Sequence, residues 1–405
     1  MSGASAQPQH QIVGALCLGQ YGKLVDLSKE AKIIPTVQGL FKSSEDNVRI
    51  AASICLGNVA IGNPDFFLDK VFTLVKQSSE VQKYLFLNTI REIILHDSKC
   101  LEMYLDQLID LLMVHATHKD ELIRSTVAES MGRLLPVYPQ FIGNAIEDGL
   151  RSGAPLQKAT LAKSVKYGGG KCGDQMMVTM VAEGLILMKD QQEPEVKKNA
   201  LDGLTTLVHG NWRWVADLLA DVEAFAHQEL PVRPELIEEV DLGPFKQKRD
   251  HGVPMRKAAY ALLEQLYDRC AERIDLDKLV DAVVNMGLVD GAEEVVIPSL
   301  TILARLSQRS GVVVLSRIDA IVAQFEKLFR TNLKLVSSKQ SQERAIAIVR
   351  AALRVVHTIN SSAELQEQPA PRFQDFFRNS VMANADAKAM YEKVAATSQG
   401  AALQM

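Results

Sequence analysis

At 405 residues, with 47% hydrophobic and 23% charged side chains, the chain can bury a sizeable core, which excludes wholesale disorder. Its 45 Lys and Arg against 49 Asp and Glu leave a net charge of −4, which counts against a dedicated nucleic-acid binder. No run approaches the roughly 18 uninterrupted apolar residues of a membrane span. Residues 1–9 lack the charged and apolar regions of a signal peptide and are expected to form a flexible lead-in.

Amphipathic helical patterns dominate from residue 10 onward, and strand-like alternation is almost absent. Leu16, Cys17, Leu18 and Gly19 match Ile54, Cys55, Leu56 and Gly57 at an offset of 38 (19 + 38 = 57). The first set reads as the second helix of a repeat whose first helix is missing. Such a half-repeat suits the C-terminal part of a longer solenoid, or one product of a split protein. Val48, Ala51, Ala52, Cys55, Leu56 and Val59 follow the i, i+3, i+4, i+7 rule, and Leu122, Ile123, Thr126, Val127, Met131 and Leu134 do much the same. Pro35, Pro64, Pro139, Pro155, Pro194, Pro254 and Pro298 are expected at helix starts or in loops, where a missing N–H breaks no helical bond.

Several helices open alike, with an acidic or turn residue, an apolar residue, a basic residue and then small residues. Glu45–Ala52, Asp120–Ala128, Pro194–Ala200 and Val253–Ala259 are the clearest copies, and Lys83 and Lys158 occupy the basic position in weaker ones. The basic anchors are 34 (Arg49 to Lys83), 41 (to Arg124), 34 (to Lys158) and 39 (to Lys197) residues apart. That period fits paired-helix HEAT or armadillo repeats, each too small to bury its apolar face alone. The predicted fold is an all-α, HEAT/armadillo-like solenoid over residues 10–362. Capping helices are expected at 363–397, where Phe373, Phe376 and Phe377 share a face, and a frayed tail at 398–405.

The interval from Lys197 to Arg256 is 59 residues, about 20 more than one repeat needs. The excess falls at about 233–253, between the two helices of one repeat. As a strand it places Leu236, Glu238, Val240 and Leu242 on one face and Ile237, Glu239 and Asp241 on the other. Gly243-Pro244 is a turn signal, and Phe245–Arg249 can run back antiparallel. Glu238, Glu239 and Asp241 then lie near Lys246, Lys248 and Arg249 across the ladder. A two-stranded hairpin alone is marginal in water, so it leans on the solenoid or on a partner. A packed insertion without a role and a partner-inserting protrusion are both open on these residues alone.

The remaining motifs carry little chemistry. Gly168-Gly169-Gly170-Lys171 lacks the earlier glycine and the following Ser or Thr of a phosphate loop, and reads as a helix end. His115 and His118 stand three apart with no ligand cluster, so no metal or other cofactor is expected. Trp212 and Trp214 are expected in the core. Cys17, Cys55, Cys100, Cys172 and Cys270 form no CxxC pair and are expected as structural thiols of a reducing compartment. No catalytic motif is present, and the chain is expected not to be an enzyme.

The run from Glu235 to Gly252, with Met255–Ala259 after it, resembles the hairpin-bearing repeat of the cullin-associated and neddylation-dissociated proteins, also called the TATA-binding-protein-interacting proteins of 120 kDa. Its Leu242-Gly243-Pro244-Phe245-Lys246 core is far more specific than any repeat signature. Ser44–Asn58 and Leu85–Ile94 resemble earlier repeats of the family's C-terminal half, and the similarity covers most of residues 10–360.

The resemblance implies a HEAT-repeat regulator of cullin–RING ubiquitin ligases, cytoplasmic and nuclear. Its C-terminal region would hold the cullin's N-terminal region while the hairpin competes with the substrate-receptor adaptor. On that reading Leu236, Val240, Leu242 and Phe245 fill the adaptor's apolar site. Glu238, Glu239, Lys246, Lys248 and Arg249 set register, and Gly243-Pro244 forms the tip. The family's N-terminal half is not in this sequence, so a separate chain carrying it is a possible second partner. A transcription regulator contacting the TATA-binding protein and a generic HEAT scaffold are the alternatives. Neither nucleic acid nor membrane is expected as a partner.

Overall fold

The computed structural model describes residues 7–241, 246–333, 339–362, 367 and 370–402. They divide between two compact units, Met1–Leu218 and Leu219–Met405. In the first, α1 (Pro8–Leu24), α3 (Asp46–Gly62), α5 (Glu80–Asp97), α7 (Glu121–Leu134), α9 (Pro155–Gly168) and α11 (Pro194–Asn211) stack in one layer, each against the one before. A second layer holds α2 (Ile33–Leu40), α4 (Pro64–Gln77), α6 (Leu105–His115), α8 (Pro139–Ser152) and α10 (Gln175–Ile186), each packed on the odd-numbered helix that follows it. Paired helices stacked in two layers make the HEAT-type α-solenoid expected from the period.

The second unit is also built of paired helices. Helix α12 (Leu219–Gln228) packs on α13 (Val253–Cys270). Helix α14 (Leu276–Ala282) runs through a π turn at Val283–Gly287 that packs on α15 (Glu293–Arg309), with the short α16 (Gly311–Leu315) beside both helices. Helix α17 (Ile318–Asn332) pairs with α18 (Lys339–Asn360), and the helix Ala385–Ala402 packs on α18. The preceding helix, Pro371–Phe376, buries Phe373 and sets Phe376 5.5 Å from Phe329, ring centre to ring centre. Phe377, next in line, turns instead to Tyr391, at 5.2 Å.

Side-chain caps explain where several helices start. The carboxylates or amide oxygens of Asn63, Asp120, Asp174 and Asp275 accept the backbone N–H of Phe66, Leu122, Met177 and Lys278, satisfying groups that helix geometry leaves without partners. Pro64, Pro139, Pro155, Pro194 and Pro254 stand at the first or second helical position, as expected. Pro298 does not: it lies inside α15, past the first turn. The apolar set of α3 is wholly buried, whereas Leu122 is 52% exposed because its place in the first turn of α7 points it away from the neighbouring helices.

Neighbouring helices of the first layer approach closely through glycines. A Cβ on Gly19 would stand 2.9 Å from the Cys55 Cα, and one on Gly57, 38 residues later, 2.9 Å from the Thr89 carbonyl oxygen. The equivalence of α1 and α3 seen in sequence therefore holds in packing. Hydrogen bonds add ties between repeats. Thr89 Oγ1 donates to the Ser53 carbonyl (3.2 Å), Thr160 Oγ1 to that of Ala116 (2.8 Å), and Asn199 Nδ2 to that of Ala159 (2.9 Å).

All five cysteines are free. Burial pushes the Cys55 and Cys100 thiols up to about 12 and that of Cys270 to about 11, far from the thiolate range that makes a cysteine reactive. Cys17 differs, standing exposed on α1. A thiol reagent at neutral pH is expected to label Cys17 in the folded protein and Cys55, Cys172 and Cys270 only after unfolding, which mass spectrometry of labelled peptides would read. The tryptophans depart from expectation. Both are half-buried in the 3-10 turn Trp212–Leu218, with the Arg213 guanidinium 5.3 Å from the Trp212 ring and Thr179 Oγ1 donating to the Trp214 carbonyl. Gly168 closes α9, and Gly169–Lys171 form a 3-10 turn, as a helix end should. Among the described residues no helix is long and apolar enough to cross a membrane.

Candidate functional site

The insertion between α12 and α13 is the hairpin. Strands β1 (Ile237–Asp241) and β2 (Lys246–Asp250) pair antiparallel, with Glu238 opposite Arg249, Glu239 opposite Lys248 and Asp241 opposite Lys246. Each acidic residue thus faces a basic one across the ladder, the favourable order for cross-strand pairs. Lys248 Nζ lies 3.8 Å from Glu239 Oε1. The Glu238 carboxylate turns to His251 Nε2 at 3.0 Å. Glu238, Glu239, Asp241, Lys248 and Arg249 are exposed, while Val240 and Ile237 are half-buried.

Leu236 belongs to the base of the hairpin and not to the strand. It ends the 3-10 turn Pro234–Leu236, and its carbonyl accepts the His251 N–H at 2.9 Å, closing the ladder from below. Its Cδ1 stands 3.3 Å from where a Cβ on the buried Gly252 would lie. Leu242, Gly243, Pro244 and Phe245 lie outside the described residues.

What fixes the hairpin is a buried ion cluster. Arg256, in the first turn of α13, has a side chain only 1% exposed. Its Nε donates to Asp290 Oδ2 at 2.7 Å and its Nη2 to Asp250 Oδ2 at 2.8 Å. Asp250 is the last residue of β2, and its other oxygen accepts the Gly252 N–H at 2.8 Å. Asp290, 2% exposed, precedes α15 and caps the Ala292 N–H. One guanidinium therefore joins the return strand of the hairpin to the next repeat. Burial alone pushes the Asp250 carboxyl up, but the hydrogen bonds from Arg256 and Gly252 outweigh it and hold the group below its ordinary value.

The sequence marks Arg256 as a basic anchor, and three of the other anchors also pair with carboxylates, there in the first turns of helices. Arg49 pairs with Asp46, Lys83 with Glu80, and Arg124 with Glu195 at 3.2 Å and with the His118 carbonyl. Asp250 and Asp290 as its carboxylates were not legible, since one is a strand end and the other lies 34 residues away (256 + 34 = 290). Among the described residues no group of three or more His, Cys, Asp or Glu could hold a metal ion.

A family model described as "TATA-binding protein interacting (TIP20)" matches residues 214–380, a stretch that contains the hairpin, α13 and Asp290. Cullin-associated NEDD8-dissociated protein 1 of Drosophila melanogaster is 31% identical over 363 residues, 85% of this chain and 28% of that protein. The protein of the same name from Dictyostelium discoideum is 26% identical over 374 residues, 90% of this chain and 30% of its own length. A relative from Emericella nidulans, named as the C-terminal part of that protein, is 24% identical over 69% of this chain. The chain is a homologue of a C-terminal part of the cullin-associated NEDD8-dissociated proteins. It spans about 30% of the length of the first curated relatives it matches. Crystal structures of Kap121p bound to RanGTP and to Ste12p superpose with a TM-score of 0.64 in each case, over 96% of this chain and 40% of theirs. At 11% and 10% identity they establish the solenoid fold and nothing about function.

Proposed function

We propose that this chain is a non-enzymatic regulator of cullin–RING ubiquitin ligases, cytoplasmic and nuclear, that binds the cullin's N-terminal region and competes there with the substrate-receptor adaptor. The observation that carries the reading is the clamped hairpin. Arg256 ties a two-stranded element, marginal by itself, to the solenoid with buried bonds, so the hairpin presents a fixed face and loses little entropy on docking. The printed names of its relatives supply the cullin. The described part of that face consists of Val240 and the charged pairs around it.

A further set of HEAT repeats is the second partner of this reading. On α1, Val13, Leu16, Tyr21 and Leu24 are exposed while Ala15, Gly19 and Gly22 face α3, so the helix carries a second apolar side of the kind its neighbours bury.

The test measures displacement of a labelled adaptor from a purified cullin N-terminal region by the 405-residue chain, with and without separately produced N-terminal repeats of a relative. Displacement by the wild type and a loss of about thirtyfold or more in the L242A/F245A variant, from two apolar hot-spot anchors worth about 2 kcal/mol or more together, are the expected results. Equal competition by the variant would remove the hairpin from the mechanism. The description of the matching family model favours a second reading, contact with the TATA-binding protein. Retention of purified TATA-binding protein by the immobilised chain would support it, and its absence at micromolar concentration would dismiss it.

A further inference from the structure

Several arginines of the second unit are held by carboxylates. Arg305 bonds Glu264 and Asp268, Arg309 bonds Asp268, Arg317 bonds Asp277 and Asp281, and Arg344 bonds Glu293. Arg350, Arg354 and Lys393 are among the cations that are not. All three are exposed, and no described carboxylate pairs with any of them.

Arg350 and Arg354 stand four apart on α18, hence on one face, where like charges repel by a few tenths of a kcal/mol unless an anion lies over them. Lys393 comes from the neighbouring helix Ala385–Ala402. Between these helices lie two adjoining depressions of about 410 and 460 Å³, the first bounded also by Asn332 at the end of α17 and the second by Ala304 and Gln308 of α15. Arg350, Lys393 and Met390 line both, and Arg354 lines the second. Beside the cations the lining is mixed: Met390 with Ile346 in the first depression and Val394 in the second are apolar, and Gln342, Gln308, Thr358 and Thr397 are polar. Asp386, at the edge of the first, is its one carboxylate among the described residues.

We infer that this groove is a docking site for an acidic peptide segment of a partner protein, one that alternates carboxylates with aliphatic side chains. Exposed guanidinium groups suit carboxylates bidentately, and an unbranched methionine adapts to varied aliphatic chains. No aromatic side chain lines either depression, so a single-stranded nucleic acid would find charge but nothing to stack on. The site is separate from the hairpin and does not rest on the cullin reading.

The probe is a short fluorescent peptide of alternating glutamate and leucine, with glutamine–leucine and lysine–leucine peptides as controls, titrated with the full chain by anisotropy. The glutamate peptide should bind best, and more weakly as salt rises. Reversal of the three cations (R350E, R354E and K393E together) should weaken binding about tenfold or more, since each exposed pair is worth up to about 1 kcal/mol. The same charge change at Lys42, Lys76 and Lys119, which are exposed in the other unit, should leave binding unchanged. An equal loss from that control set, or none from the groove set, overturns the site. So does single-stranded DNA of matched charge binding as tightly as the peptide, which would make the groove a general anion surface. All three side chains are exposed, so melting temperatures should match wild type; if the triple variant unfolds, R354Q and K393Q are read separately, and both must weaken binding.

Discussion

Replacing Arg256 with alanine is expected to destabilise the hairpin-bearing unit by about 3–5 kcal/mol, because it leaves the Asp290 carboxylate buried and uncompensated. The substitution also frees the end of β2, since Asp250 loses the bond that ties it to α13. Urea denaturation would give the loss of stability, and hydrogen exchange of the β1 and β2 amides would show the hairpin opening at lower cost than the helices around it. If the loss reflects the stranded charge and not the absent packing, R256M with D290L should recover much of it, because a buried ion pair often stabilises no better than apolar side chains of similar volume. Full loss in that pair would mean the guanidinium's geometry is itself required.

The same cluster sets a pH dependence. The Asp250 carboxyl is held below its ordinary value in the folded protein, so it contributes stability above the unfolded-state value of about 4 and loses it as pH falls through the lower folded value. Hairpin protection should therefore fade in acid before the helices melt, and R256A, which leaves only the Gly252 N–H on that carboxylate, should reduce the difference.

Much of this architecture was legible because a repeat states its pattern many times. The anchors Arg49, Arg124 and Arg256 and the match of Gly19 with Gly57 place the helices and their close contacts without reference to any distant residue. The hairpin was legible for the opposite reason: the 59-residue interval from Lys197 to Arg256, the turn signal Gly243-Pro244 and the period-2 split of Glu238 and Val240 from Glu239 and Asp241 interrupt a helical chain in which strands are otherwise not expected. What escaped depends on residues that meet only in the fold. Asp290 is an ordinary loop carboxylate until Arg256 reaches it across a repeat. Arg350 and Lys393 belong to different helices and meet only in the groove that both line. Leu236 was misplaced onto the strand because alternation has no boundary of its own; the turn begun by Pro234 supplies one. Pro298 broke its rule because packing on both sides holds α15 together where local preference would end it: Val295, Val296 and Leu300 are all buried.

Glycine substitutions test the stacking most directly, because the available space decides the sign of the effect. A Cβ on Gly168 would overlap the backbone carbonyl oxygen of Gly132, and one on Gly132 that of Ser164. These obstacles are main chain, with no flexible side chain to swing aside, so G168A must push α7 and α9 apart along their shared length. The expected cost is about 1–3 kcal/mol or more, typical of overpacked cores. Gly14 in α1 and Gly39 in α2 have nothing within 4 Å of an added Cβ, and both lie within helices. There alanine should stabilise by about 0.4–1 kcal/mol, through the smaller entropy of the unfolded chain. Thermal or chemical denaturation of G168A, G132A, G14A and G39A reads the contrast. Destabilisation by all four would make helix propensity and local space irrelevant to the stack, whereas neutrality at Gly168 would mean the α7 and α9 backbones do not touch there in solution.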